Sequence, residues 1–197
     1  LPEEIKIITF NNRSYKSLLE KNLDLLGVDY LVLGKNVASW YNRLKIKLLV
    51  ETLDEVREEF ILVLDADDVL IMSSLEDIIE KFIPFDCEVL FNSEPYPYPL
   101  ESFYGDMEKA ICKEPFCHLN SGCFIGRTEF CRKLYRECFT YRDSIVDNHA
   151  YSDQIKIKPF YIKMYPQIKI DFSSEIFQIL PLYYEKNIFE LEGGCFF

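Results

Sequence analysis

"FILVLDADDVLI", residues 60–71, is a continuous apolar run that stops at Asp65, Asp67 and Asp68 and then turns apolar again. An apolar run without alternation reads as a strand buried on both faces, the pattern of a parallel sheet covered by helices on both sides. In open α/β sheets, ligands bind outside the carboxyl ends of the strands, which is where these acids are delivered. Asp65 and Asp67 are two apart, and Asp65 and Asp68 are three apart across a turn, so either pair can converge on one hard divalent cation. Close carboxylates repel one another unless a cation compensates them or one of them titrates high. The same acids would also serve to cap the following helix and solvate a loop, and this stretch alone does not choose between the two.

The segments around it alternate between strand and helix. "EIKIITF" at the start and "VDYLVLG" at 28–34 read as strands, and the first runs out into the polar loop "NNRSY". Between them, "SYKSLLEKNLDLLG" carries leucines at helical spacing, with Ser14 as the expected cap and Gly27 just past the end. "NRLKIKLLVETLDEV" has helical periodicity before the third strand. "SSLEDIIEKF" after the aspartates has Ser73 or Ser74 as N-cap and an acid reaching back as in a capping box. "CEVLFNSE" is a fourth strand. The proline- and aromatic-rich "PYPYPLESFYGDMEKAICKEPF" reads as an irregular loop, and "HLNSGCFIGRTEFCRKLYREC" as a turn, a short strand and a helix. Alternating strands and helices without repeats or linkers predict one α/β domain over 1–197.

Composition narrows the function classes. With 49% hydrophobic and 15% aromatic content in 197 residues, the chain has material for one substantial core. Its 22 basic and 33 acidic residues leave a net charge of −11, which repels polyanions and argues against a nucleic-acid partner. An anionic substrate would need local help from a metal ion or a few placed lysines. The seven cysteines, from Cys87 to Cys195, contain no C-x-x-C pair and read as free thiols rather than a zinc site. No signal-like segment and no apolar stretch of spanning length is present, which makes the cytoplasm the default expectation.

Two chemistries fit a strand that ends in these acids. In one, a metal ion bridges the diphosphate of a nucleotide-sugar and neutralises the leaving group while the sugar passes to an acceptor hydroxyl. In the other, Asp65 is a nucleophile and Asp67 a general acid, as in haloacid-dehalogenase-like phosphatases, whose signature "ILVLDADDV" imitates. That second pattern belongs on a first strand, and here two strands precede it. A non-catalytic nucleotide-sugar-binding module is the third possibility.

Later motifs join the aspartates in a recognisable order. "IKIITF", "LKIKLLVETL", "VLDADDVLI", "EVLFNSEPYPYP", "HLNSGCFIG", "YSDQ" and "IDFSSEIFQIL" together resemble the glycosyltransferase domain of the procollagen galactosyltransferase and lysyl hydroxylase family. The resemblance spans most of residues 5–180. It implies a GT-A, Rossmann-like fold with a mostly parallel mixed sheet flanked by helices. It also implies a UDP-hexose donor, galactose or glucose, with Mn²⁺ as cofactor and a hydroxyl acceptor on collagen-like hydroxylysine or a glycan.

By the same resemblance, Asp65 and Asp68 fall at the metal-binding acids, and Asp67 lies where the family often has an aromatic against the nucleotide. Thr9, Phe10 and Asn11 leave the first strand where this fold holds the uridine. Lys45 matches a family lysine, although "WYNRLK" replaces the usual glycines; Trp40 and Tyr41 offer either a stacking surface for uracil or core packing. Asn120, Ser121 and Gly122 are expected to form a turn whose small residues let the backbone approach a ligand and whose amide can hold sugar hydroxyls. Asp153 and Gln154 match an acid and an amide near the transferred sugar, where Asp153 would orient or deprotonate the acceptor hydroxyl. Glu94 matches a family glutamate and is expected to be an acceptor-side or a structural residue. The aromatic loop Pro95–Tyr104 is either an acceptor platform or a loop folded onto the core.

His149 and Asp153, four apart, are a weaker metal pair on an expected shared helix face. The family also has a late histidine in a His-Gly-Asn-Gly-like segment that completes its metal site. No matching position is found up to "LEGGCFF", which leaves two expectations: the segment lies beyond residue 197, or the metal is held by aspartates, diphosphate and water alone.

Overall fold

A computed structural model describes residues 4–99 and 101–180. Six strands form one sheet in the order β2-β1-β3-β5-β4-β6. They are β1 (Ile5–Phe10), β2 (Tyr30–Leu33), β3 (Phe60–Leu64), β4 (Val89–Glu94), β5 (His118–Arg127) and β6 (Ile168–Ile170). The helices are α1 (Leu18–Leu26), α2 (Leu44–Thr52), α3 (Leu75–Phe82), α4 (Glu101–Ile111), α5 (Thr128–Thr140), α6 (Ser144–Asn148) and α7 (Gln154–Met164). β1 pairs in parallel with both β2 and β3, β5 lies antiparallel between β3 and β4, and β6 is parallel to β4. This is the mixed sheet, flanked by helices, that the alternation of segments and the family resemblance lead one to expect.

The "FILVL" run explains why the sheet is covered twice. Phe60, Leu62 and Leu64 pack in one apolar cluster with Leu19 and Leu23 of α1 and Ile78, Ile79 and Phe82 of α3. Ile61 and Val63 point the other way, into a second cluster with Ile46 and Leu49 of α2, Leu134 and Tyr135 of α5, and Tyr161 of α7. A period of two with both phases apolar is what a strand between two helical layers requires. All five residues of β3 are buried, and the strand fixes the depth at which Asp65 emerges.

Three local expectations are corrected. The cap of α1 is Ser17 and not Ser14: Ser17 Oγ accepts from the Glu20 N–H, and the Glu20 carboxylate accepts from the Ser17 N–H. Only Ser17 has a glutamate three residues on, as the reciprocal box demands. Within the expected irregular loop, residues 101–111 form α4, because Tyr104 and Glu108, one turn apart, are both buried on its inner face. Asn120, Ser121 and Gly122 are not a turn but the middle of β5. There the β4–β5 register jumps, with Phe91 opposite Phe124 and Asn92 opposite Asn120, so the intervening residues of β5 bulge.

Ser74 caps α3 as expected, accepting from the Asp77 N–H. Cys87, Cys112, Cys117, Cys123, Cys131 and Cys138 are free thiols, whereas Cys195 and the "LEGGCFF" end lie outside the described residues.

Candidate active site

The site is built on the carboxyl ends of β1 and β3 and completed by the β5 bulge and the start of α7. Asp65 is the first residue after β3, and its N–H donates to the Gly122 carbonyl at 2.8 Å, which ties the strand end to the bulge. The spacing to Gly122 is close. A Cβ placed there would stand 2.9 Å from Asp65 Oδ2 and 3.0 Å from Asn120 Oδ1, so the glycine makes room for the carboxylate. Asn120 Oδ1 accepts from the Gly122 N–H at 2.8 Å and holds the bulge in shape.

Lys45, in the first turn of α2, is 7% exposed, and its Nζ lies 2.5 Å from Asp65 Oδ1 and 3.8 Å from Asp153 Oδ2. Burial disfavours the charge on Lys45, but the carboxylates of Asp153 and Asp65 outweigh it and hold the ammonium above the ordinary lysine range. Burial likewise raises Asp65, against the attraction of Lys45 and with the repulsion of Asp153 and Asp68.

Asp153 is buried at the N-terminal end of α7, and its Oδ2 accepts from Ser121 Oγ at 3.0 Å. Gln154 Oε1 accepts from the Ser121 N–H at 3.0 Å, while its Nε2 donates to Glu94 Oε1 at 2.6 Å and to the Tyr98 carbonyl at 2.8 Å. A continuous polar chain therefore runs from Asp65 through Lys45, Asp153, Ser121 and Gln154 to Glu94. Burial pushes the Glu94 carboxyl up to about 6 despite the hydrogen bond from Gln154.

Lys45 and Asp65 also edge a cleft of about 380 Å³, which Phe10, Asn11, Trp40, Asp67 and Asp68 help to line. The Trp40 ring lies 6.1 Å from that of Phe10, with 48° between the planes. Asp68 is exposed, and Asp67, also exposed, pairs with Arg13. Asn11 is buried and faces inward, its Nδ2 donating to the Tyr15 carbonyl and to Glu20. Thr9 is fully buried and its hydroxyl donates to the Leu64 carbonyl, so its contact is with β3. A larger groove of about 1370 Å³ lies at the opposite end of β1, by Ile5, Lys6 and Glu58, and carries none of these groups.

His149 and Asp153 share no helix face: His149 ends α6, and Asp153 precedes α7 after a turn. The residue that sets this turn is Arg43, which the sequence did not single out. Its guanidinium donates to the carbonyls of Val146, His149 and Ser152 at 2.6, 2.7 and 3.2 Å, and so fixes the approach to Asp153. An arginine at a helix start carries no pattern that announces such a clamp.

Among the described residues, no three His, Cys, Asp or Glu side chains converge as a ready metal cage. Asp65, in the space left by Gly122, and Asp68 at the cleft edge offer hard oxygen donors. Two such acids would suit a hard divalent cation, provided that other oxygen donors completed its coordination. The chain's two histidines are His118 and His149, so none of residues 181–197 supplies the late histidine of the family pattern.

The mixed sheet, covered by helices on both faces and with a polar cleft at its carboxyl edge, is a fold of the GT-A kind. A family model described as the PLOD GT domain matches residues 9–193, and the chain belongs to that family. A Drosophila melanogaster procollagen-lysine,2-oxoglutarate 5-dioxygenase is 36% identical over 85 residues, 42% of this chain and 12% of the relative, so the match spans a small part of that protein. The crystal structure of a glycosyltransferase involved in glycosylating the major capsid of PBCV-1 superposes with a TM-score of 0.52 at 14% identity. That superposition covers 84% of this chain and 80% of the other, a likeness of fold. No helix among the described residues is long and apolar enough to cross a membrane.

Proposed function

We propose that this domain binds a UDP-hexose, galactose or glucose, with Mn²⁺ at Asp65 and Asp68, and transfers the hexose to an acceptor hydroxyl. The observation that carries this reading is the position of Lys45, whose single buried ammonium joins Asp65, on the cleft, to Asp153, on the Ser121–Gln154–Glu94 side. The metal ion, when bound, supplies Lewis-acid stabilisation of the departing diphosphate. The chain's own residues do the rest. Phe10 and Trp40 offer apolar faces to the uracil ring, and Lys45 and Arg13 bring positive charge to the diphosphate side of an otherwise acidic protein. Asn120, Ser121 and Gly122 bring the β5 backbone close to the sugar. Gln154 and Asp153 orient the acceptor hydroxyl, and Glu94, titrating closer to neutrality than an ordinary glutamate, is the better placed to take its proton as the new glycosidic bond forms and UDP leaves.

The acceptor we favour is a hydroxylysine side chain on a collagen-like peptide, in line with the family and with the relative's procollagen-lysine name. Tyr96 and Tyr98, both more than half exposed beside Glu94, supply flat faces for an acceptor or a sugar. The phosphatase reading finds no support in the family match. A panel of UDP-sugars with Mn²⁺, read as UDP release with and without a hydroxylysine peptide, tests the proposal. Release from UDP-galactose or UDP-glucose that rises with the peptide is the expected result. UDP binding without release from any donor would leave a non-catalytic nucleotide-sugar-binding module.

A further inference from the structure

Behind the acceptor side of the site lies a second ionic cluster, buried more deeply than the first. Glu108 of α4 and Lys158 of α7 are fully buried, and His118 at the start of β5 is 1% exposed. Lys158 Nζ donates to both Glu108 oxygens at 2.8 and 2.9 Å. His118 Nδ1 lies 2.8 Å from Glu108 Oε2, and the Leu119 N–H donates to Oε1 at 3.1 Å. One carboxylate thus binds α4, β5 and α7 together.

Burying an ion pair is a weak source of stability, since desolvation of both charges offsets most of their attraction. Its placement has a more specific consequence. Lys158 lies one helical turn beyond Gln154 on the same face of α7, and Gln154 holds Glu94 and the Tyr98 carbonyl. His118 is the cross-strand partner of Glu94. Three residues before Glu108, Gly105 lets Pro97 lie so close that a Cβ would meet its ring at 3.2 Å. Three routes from Glu108, through Lys158, His118 and Gly105, therefore reach the same short segment, Glu94 to Tyr98.

We propose that Glu108 is a positioning residue which, with Lys158 and His118, sets where Glu94 and Gln154 stand on the acceptor side of the cleft and what charge surrounds them. This rests on the transferase reading for its purpose, though not for its measurement. The groups facing Glu94 are Gln154 and Lys158 from α7, Asn120 and His118 from β5, Glu108 from α4 and the Tyr98 side chain of its own loop. Of these, Lys158 favours the Glu94 carboxylate and Glu108 opposes it, so the two buried charges act on Glu94 in opposite senses.

The test is a carbon-13 NMR titration of the Glu94 carboxyl in the whole chain, with Glu108→Gln and Lys158→Met as variants. The wild-type midpoint is expected near 6. Glu108→Gln exposes Glu94 to an unopposed ammonium and should lower the midpoint by about half a unit or more, while Lys158→Met should raise it by about as much. A cluster that only holds the fold would lower the melting temperature of both variants and move the midpoint in neither, or in both alike; either result overturns the proposal. If Lys158→Met does not fold, the double variant Glu108→Gln/Lys158→Met replaces it. A midpoint returning to within about 0.2 units of wild type supports opposed charges, and one that stays where Glu108→Gln put it overturns them. Because no turnover is needed, opposite shifts without UDP release would sink the transferase reading alone, and UDP release with unmoved midpoints would sink this inference alone.

Discussion

Lys45 Nζ stands 2.5 Å from Asp65 Oδ1, in a pocket that leaves the lysine side chain 8% exposed and the aspartate 33%. An ammonium from the start of α2 thus meets the carboxylate at the end of β3 and reaches, at 3.8 Å, toward Asp153 before α7. Replacing it with an isosteric apolar chain strands two carboxylates in one small space. Lys45→Met should cost about 3 kcal/mol of stability by urea denaturation and lower UDP release by about 100-fold or more. Full turnover in a folded Lys45→Met protein would remove Lys45 from the proposed chemistry.

The three aspartates are not equivalent. Asp65 is anchored by Lys45 and the bulge, Asp68 is exposed at the cleft edge, and Asp67 is engaged by Arg13. At a UDP concentration about 100 times the Kd, bound ligand adds about 2.7 kcal/mol and raises the melting temperature accordingly. With Mn²⁺ present, wild type and Asp67→Asn should both show this rise, and Asp65→Asn and Asp68→Asn should lose it. Equal losses in all three would assign Asp67 to the metal as well.

Gly122 is needed for its missing side chain. In Gly122→Ala the new methyl meets Asp65 Oδ2 at 2.9 Å and Asn120 Oδ1 at 3.0 Å. Because Lys45 holds the aspartate on its other side, the carboxylate has little room to give. A stability loss of about 1 kcal/mol should accompany a fall in UDP release of about tenfold or more, as a misplaced group weakens the aligned site. Unchanged turnover would show that Asp65 can shift without consequence.

Glu94 ties stability to pH. Its carboxyl moves from an ordinary 4.5 to about 6 on folding, so the folded chain holds the proton more tightly than the unfolded chain. A raised carboxyl contributes stability that is fully present below about 4.5 and is lost as pH rises through about 6. The loss amounts to about 2 kcal/mol across that window. Glu94→Gln should flatten this part of the curve: urea denaturation between those pH values should show the variant gaining on wild type as pH rises. A constant difference across the window would mean that Glu94 titrates normally.

Much of the sheet was legible because strand burial leaves a period in the chain. β3, β1, β2 and β4 all lie where apolar runs placed them, and Asp65 and Asp68 stand at the carboxyl edge that the run implied. The misreadings share one cause, local composition that imitates an irregular segment. Pro95, Pro97 and Pro99 made the stretch after β4 look like a loop, but residues 101–111 bury Tyr104 and Glu108 one turn apart and become α4. Asn120, Ser121 and Gly122 are common turn residues, yet the pairing of β5 with β4 before and after the bulge, and the Asp65 N–H to the Gly122 carbonyl, keep them within β5.

From the sequence alone came an alternating α/β chain, a strand buried on both faces and acids at its end, and, through the order of its motifs, the family and the candidate residues. The alternation, the buried strand and its acids depend on periodicities and spacings of neighbouring positions, whereas the family and its candidate residues came from the resemblance of ordered motifs. The tertiary structure decided which atoms meet: Lys45 with Asp65 and Asp153, Gln154 with Ser121 and Glu94, Arg43 with the turn before α7, and Glu108 with Lys158 and His118. Each of these joins groups from separate elements, and its strength depends on distance and exclusion of water, which exist only once the sheet has brought those elements together.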